Sequence, residues 1–354
     1  MALRVDIEKN LSEYPLKMQF EAGNETLALL GASGSGKSMT LKMIAGIIRP
    51  DRGHIELDGV TLFDSEKGIN LPPQKRRVGM MFQNYALFEN MTVRRNILMG
   101  VRQNRRSAAA EEEVEAILDC LHLTDLADKH PSKISGGEQQ RVALGRIMVS
   151  HPNILMLDEP FSALDSHLRF QMEKVVQDAI DDFGKTVLWV SHNRDEVFRR
   201  ADRVAVLDRG QIDVIGTRQE VFDHPQTVGG AVLTGCKNIF PASKAGDHRI
   251  RLNGCGIVLN AEQVPDDITH AGIRMNHVRP AGVRDGASRA NTLNCKCIGE
   301  TKNPFSYVVE LAPAGQDTEF SLLMEIDDSL WEGIRSPQIT VTIDPAEVLP
   351  LRTT

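Results

Sequence analysis

No run of about 18 apolar residues occurs in this 354-residue chain, so no segment reads as a bilayer-crossing helix. Its start, Met1-Ala2-Leu3-Arg4-Val5-Asp6, lacks the charged-then-apolar layout of a signal peptide. Cysteine is scarce. Five residues, an odd number spread from Cys120 to Cys297, argue against a disulfide framework. Cys295-x-Cys297 is the one close pair. On a strand the two would point the same way, as a metal site needs. No second Cys/His pair stands at zinc-site spacing, however, so buried or edge thiols are the expected reading. Positive charge is not in excess: 41 Lys and Arg face 48 Asp and Glu, for a net charge of −7. That argues against a general nucleic-acid binder, which would carry a basic surface. Long heptad insertions, basic arms, tandem cassettes and long internal repeats are also missing.

What is present is more specific. Gly31-Ala32-Ser33-Gly34-Ser35-Gly36-Lys37-Ser38 reads G-x-x-x-x-G-K-S, a phosphate-cradling P-loop. An apolar run, Thr26 to Leu30, precedes it and a helical pattern beginning at Lys37 follows. The glycines let backbone N–H groups turn toward a di- or triphosphate, and the helix adds its positive end. In this motif Lys37 reaches the β/γ-phosphates and the Ser38 hydroxyl ligates Mg²⁺.

Length suggests two domains, or three. Up to about residue 225 short apolar runs alternate with helical patterns. The strand candidates are Thr26–Leu30, Val78–Phe82, Ile154–Leu157, Thr186–Val190 and Arg203–Asp208. The last four have few polar breaks, as buried strands of a largely parallel sheet do. Helices are expected over Lys37–Ile48, Ala108–Leu121, Gly137–Val149 and His167–Phe183. Asp58-Gly59 between two short runs predicts a hairpin turn. From about Asn238 the pattern changes to short strands with turn residues between them. They are expected at Ile250–Leu252, Gly256–Leu259, Gly272–Arg279, Leu293–Glu300, Ser306–Leu311, Glu319–Ile326 and Gln338–Ile343, as in one small β-barrel or two.

A second constellation follows the P-loop. Ile154 to Leu157 runs apolar into Asp158-Glu159-Pro160. A carboxylate at a strand end can hold Mg²⁺, and its neighbour can polarise a water toward the γ-phosphate. Upstream, Ser135-Gly136-Gly137-Glu138-Gln139-Gln140-Arg141 opens a helix and forms a second anion site. A lone Ser-Gly-Gly is usually no more than a helix cap. Two anion sites in one chain fit a protein whose two copies sandwich nucleotide between them.

On these residues the chain resembles the ATP-binding subunits of ABC transporters, over roughly residues 1–230. The resemblance implies an α/β P-loop NTPase domain, 1–230, followed by a small OB-like β-barrel domain, 231–354. It implies ATP and Mg²⁺ as cofactors. Nucleotide would be held by Tyr14, Gly31, Ala32, Ser33, Gly34, Ser35, Gly36, Lys37, Ser38, Met39, Gln83 and Asp158, with Ser38, Gln83 and Asp158 at the metal. Glu159 would be the catalytic carboxylate and His192 the switch histidine. Ser135, Gly136, Gly137 and Glu138, with Asp165 in the D-loop Ser162-Ala163-Leu164-Asp165, would face the nucleotide of a second copy. For Tyr14, as an adenine-stacking aromatic, a core role is the competing reading.

The run from Gln83 to Ile97 resembles the segment with which importer ATPases receive a helix of their permease. The implied partners are therefore membrane permease subunits, a solute-binding protein and a second copy of the chain, at the cytoplasmic face of the membrane and without nucleic acid. Leu233 to Phe240 resembles the molybdate/sulfate branch, so oxyanion import is expected ahead of polyamine, iron or sugar import or a soluble ABC ATPase. Four residues depart from the family pattern: Ile134 for Leu, Glu138 for Gln, Gly145 for Ala, and Asn193 for Asp after the histidine. Gly145 inside a helix costs roughly 1 kcal/mol of propensity.

Overall fold

The structure is a computed structural model and describes residues 3–102, 105–162, 166–282, 291–315 and 320–353. The chain forms two compact units, Met1–Arg218 and Gln219–Thr354.

The first unit is built from β1 (Leu3–Asn10), β2 (Pro15–Ala22), β3 (Thr26–Gly31), α1 (Lys37–Ile44), β4 (Arg52–Leu57), β5 (Val60–Asp64), β6 (Ile69–Asn70) and β7 (Val78–Met81). It continues with α2 (Val93–Leu98), α3 (Ala108–Cys120), α4 (Gly136–Met148), β8 (Ile154–Asp158), α5 (Ser166–Phe183), β9 (Val187–Ser191), α6 (Arg194–Arg200), β10 (Arg203–Asp208) and β11 (Gln211–Thr217). One sheet carries all the strands in the order β6-β5-β4-β1-β2-β11-β10-β3-β9-β8-β7. Its β10-β3-β9-β8-β7 half is parallel. Every residue of β3, β8 and β9 is buried, as strands covered on both faces must be. β2 alternates exposed and buried along its whole length, so it presents one wet face. Asp58 and Gly59 both take positive φ, 52° and 78°, the geometry of the tight turn expected between β4 and β5.

Helix α1 stops at Ile44, four residues short of the sequence expectation. Arg76 is fully buried and donates to the carbonyls of Met43 and Ile44, at 2.9 and 2.8 Å. Gly46 follows in a left-handed conformation, and a Cβ there would lie 2.4 Å from Arg76 Nε. The helix is therefore capped by a distant guanidinium that propensity cannot reveal. Burial pushes the Arg76 pKa down to about 10.

The second unit contains α7 (Arg218–Asp223, starting at the boundary), α8 (Val228–Leu233), β12 (Asn238–Gly246), β13 (Arg249–Leu252), β14 (Val258–Asn260), β15 (His270–Ile273) and β16 (Arg279–Pro280). After these come β17 (Asn291–Lys302), β18 (Ser306–Pro313), β19 (Leu322–Asp327), α9 (Asp328–Ile334), β20 (Gln338–Ile343) and β21 (Val348–Leu351). Two antiparallel five-stranded sheets, β14-β13-β12-β15-β21 and β16-β20-β17-β18-β19, enclose one core in an OB-like, barrel-type arrangement. That core joins Ile250, Ala271 and Ile273 of one sheet to Val309, Leu311 and Val341 of the other, with Trp331 fully buried among them. The single strand expected over Gly272–Arg279 is broken: β15 ends at Ile273, and a helical turn over Met275–His277 separates it from β16. The strand expected from Glu319 starts at Leu322, and Glu319 lies outside the described residues. Cys295 is a core residue of β17 whose thiol pKa burial raises to about 11.

Candidate functional site

The parallel strands of the first unit deliver their polar ends to one place. The P-loop leaves β3, Gln83 follows β7, Asp158 ends β8, and Ser191-His192 follows β9. This is the carboxyl edge of an α/β sheet, where ligands of such folds bind. There a cavity of about 340 Å³ is lined by Leu11, Tyr14, Ser33 to Met39, Gln83 and Glu159.

The loop needs its glycines for space. A Cβ on Gly31 would lie 2.5 Å from Ser35 Oγ and 2.7 Å from the Leu207 carbonyl. Gly34 and Gly36 adopt φ of 84° and 102°, which favour glycine. Lys37 is buried and donates to the carbonyls of Gly31 and Ala32, both at 2.8 Å. Burial pushes its pKa down, opposed by the charges of Glu159 and Asp158. Ser35 Oγ is buried with no hydrogen-bond partner among the described residues. A buried cation, an orphaned hydroxyl and a helix N-terminus on one cavity form a receptor for phosphate oxygens.

Ser38 Oγ donates to Asp158 Oδ1 at 2.7 Å. Burial raises the Asp158 pKa, the Ser38 hydrogen bond opposes this, and Glu159 adds to the rise. A hydroxyl and a buried carboxylate are hard oxygen donors of the kind Mg²⁺ takes. Gln83 reaches the same cavity, its Nε2 3.4 Å from Ser162 Oγ. These three side chains fit a divalent cation.

Glu159 sits in a left-handed conformation, φ 47°, its N–H donating to Val190 O at 3.0 Å. A non-glycine residue held so is strained by about 1–3 kcal/mol, and such strain collects at functional sites. His192 Nδ1 lies 3.1 Å from Glu159 Oε1. The loop carrying His192 is tied down by a buried knot. Ser191 Oγ donates to Glu196 Oε2 at 2.8 Å, and Asn193 N–H donates to Ser191 Oγ at 2.9 Å. Asn193 also caps α6, and its amide donates to Glu196 Oε1 at 3.3 Å. Aspartate in its place could cap the helix but would set a second carboxylate against buried Glu196. The departure at Asn193 thus has a local reason.

Tyr14 lines the cavity, half-exposed, and its ring is closed on by Gly210. A Cβ on Gly210 would sit 2.7 Å from Tyr14 Cδ2. Leu11 and Gly210 were not singled out from sequence; neither belongs to a recognisable motif.

Ser135, Gly136, Gly137 and Glu138 do not line the cavity. They open α4 with a capping box. Ser135 N–H and Oγ donate to Glu138 Oε2 at 2.6 and 2.9 Å, and Glu138 N–H donates to Ser135 Oγ at 3.3 Å. A glutamate there caps at least as well as glutamine. Gly145 lets α4 pack closely, since a Cβ would lie 2.8 Å from Ile117 and 3.0 Å from Leu121. The D-loop residues Ala163, Leu164 and Asp165 lie outside the described residues.

Residues 15–162 match the family described as ABC transporter. Over 233 residues the chain is 39% identical to the molybdenum import ATP-binding protein ModC of Paramagnetospirillum magneticum, covering 66% of this chain. It is 42% identical over 217 residues to the putrescine transport ATP-binding protein PotG of Escherichia coli, covering 61% of this chain. Against the spermidine/putrescine import ATP-binding protein PotA of Bacillus cereus it is 38% identical over 226 residues, 64% of this chain. These alignments span 63%, 56% and 67% of the relatives' own lengths. Among solved structures, cbiO1 of Clostridium perfringens, described as part of an ABC transporter complex, superposes with TM-score 0.54 at 27% identity. That match covers 62% of this chain and 90% of the other. A dimeric bacterial ABC transporter cassette superposes at 0.51 with 26% identity, covering 62% and 99%.

Proposed function

Because this chain belongs to the ABC transporter family, we propose that it is the ATP-hydrolysing subunit of an importer, with residues 1–230 as the motor and 231–354 as an accessory domain. The observation that carries this reading is one cavity at the sheet's carboxyl edge, shared by the P-loop, Gln83 and Glu159, with Asp158 bonded to its lining residue Ser38.

ATP is the substrate, its phosphates received by the P-loop amides and Lys37. Ser38, Asp158 and Gln83 hold Mg²⁺, which when bound offsets the charge of the phosphate oxygens. Glu159 orients a water and takes its proton as that water attacks the γ-phosphate. His192, held against Glu159, fixes the carboxylate and offers a donor to the γ-phosphate. Tyr14 stacks on the adenine. The signature turn at Ser135 does not line its own cavity, so it serves the nucleotide of a second copy, with Asp165 at the same interface. The dimer works at the cytoplasmic face of the membrane on permease subunits fed by a solute-binding protein.

The solute we favour is a small oxyanion: molybdate, tungstate or sulfate. The likeness to ModC and the junction Leu233 to Phe240 support it. The 42% identity to PotG keeps a polyamine as the second reading. Uptake by vesicles holding the chain with its cognate permease, measured with labelled molybdate, sulfate and putrescine, separates the two. ATP-dependent, vanadate-sensitive accumulation of an oxyanion is expected. Accumulation of putrescine alone would overturn the oxyanion assignment and leave the ATPase reading intact.

A further inference from the structure

Arg146 lies in the last turn of α4, the helix that Ser135 opens. Its guanidinium donates to the carbonyl of Ala86 at 2.8 Å and to that of Tyr85 at 2.9 Å. It also stands 5.3 Å from the centre of the Phe88 ring. Both residues it grips are left-handed, with φ of 57° at Tyr85 and 46° at Ala86. Neither is glycine, and such a conformation persists only where its surroundings enforce it. The Tyr85 side chain is buried, and its hydroxyl finds no partner among the described residues. Local preferences therefore do not explain this segment.

The segment is held from two sides. Fully buried Asn96 on α2 accepts from Phe88 N–H at 2.8 Å and donates to Phe88 O at 3.1 Å and Met91 O at 3.2 Å. Upstream, Met81 is fixed in β7. Between these anchors lies Gln83, exposed and beside the nucleotide cavity. The Arg146 fork is what ties the stretch just after Gln83 to α4.

We propose that Arg146 is a positioning residue that makes α4 a rigid link between the Ser135 turn and Gln83. The inference rests on the function proposed above. The helix has 13 residues, hence a length of about 20 Å, each turn closed by backbone hydrogen bonds. A displacement of the Ser135 turn when nucleotide and a second copy engage is delivered at the Tyr85 and Ala86 carbonyls, and so to Gln83. Lysine keeps the charge but not the planar fork that reaches two carbonyls at once.

The test uses the purified full chain. Arg146→Lys is expected to lower kcat for MgATP by about tenfold while KM stays within about twofold, the pattern of a lost transition-state arrangement with binding kept. In a Glu159→Gln background ATP should slow amide exchange at residues 83–88, and Arg146→Lys should remove that response. Adding Ala86→Gly should not restore the lost kcat, because glycine takes a left-handed φ at no cost but does not rebuild the tie to α4. A merely structural arginine, one that only enforces the left-handed turn, would keep the exchange response and be rescued by glycine. A kcat within twofold of the parent or a retained exchange response would overturn the proposal. If Arg146→Lys does not fold, the Glu159→Gln chain still decides. Residues 83–88 and 135–138 should respond to ATP with one midpoint, and different midpoints would overturn the link. Absence of Mg²⁺-dependent hydrolysis in the unmodified chain would instead overturn the function on which the inference rests.

Discussion

The Ser38 hydroxyl donates to Asp158 Oδ1 across 2.7 Å, joining the P-loop helix to a strand end 120 positions later. Asp158 is nearly inaccessible, and its pKa is raised, first by burial. A carboxyl whose folded pKa exceeds its unfolded value favours folding when protonated. That contribution is complete below the unfolded pKa and is lost as pH rises through the raised folded one. Asp158→Asn should therefore raise the ligand-free melting temperature at pH 7, where burial disfavours the charged carboxylate. The same change should remove Mg²⁺-dependent hydrolysis. The difference should narrow as pH falls through the raised Asp158 pKa toward the ordinary carboxylate range. A lower melting temperature for the asparagine chain at pH 7 would contradict this reading of the site.

Tyr14 and Gly210 should behave as a pair. Tyr14→Ala removes a ring whose stacking on a base is worth about 1–3 kcal/mol, so affinity for an adenine nucleotide should fall about tenfold. Gly210→Ala pushes a methyl into the same ring and should weaken binding in the same direction. Fluorescent-nucleotide titration checks both. Unchanged affinity in Tyr14→Ala would return the tyrosine to a packing role.

Glu138 occupies the Ser135 hydroxyl and sets a negative charge beside it. Glu138→Gln removes that charge from a turn assigned to a phosphate. ATP-induced dimers should form at several-fold lower nucleotide concentration, in keeping with the charge preference of a helix N-terminal site. Size-exclusion chromatography with light scattering reads the midpoint, and a higher midpoint would contradict the assignment.

Gly145→Ala should destabilise the first unit by about 1 kcal/mol despite alanine's better helix propensity, because overpacking outweighs it. Chemical denaturation measures the difference. A more stable alanine chain would show that Ile117 and Leu121 yield easily.

The parallel strands of the first unit were legible because they are buried on both faces and read as unbroken apolar runs that end abruptly at Asp158 and Ser191. The antiparallel strands β1 and β2 were not, since their alternation is filled with charges that β-patterns share with loops. The end of α1 was hidden because the capping group, Arg76, comes from a distant loop. The signature turn was visible as a motif, yet its separation from its own P-loop cavity appears only in three dimensions. The same holds for the contact between His192 and Glu159, and for Gly145, whose reason is the approach of α3. In the second unit the strands with clear turn residues were found. β12, which carries Pro241 and ends in Gly246, was missed.

The central claim is that Glu159, strained at the end of β8 and contacted by His192, activates the attacking water. One measurement tests it most directly: steady-state MgATP hydrolysis by Glu159→Gln, with bound ATP quantified on the same sample. Turnover should fall by about 10²–10⁴-fold, the contribution of a positioned general base, while ATP remains bound and the dimer accumulates. Hydrolysis near the unmodified rate would contradict the account.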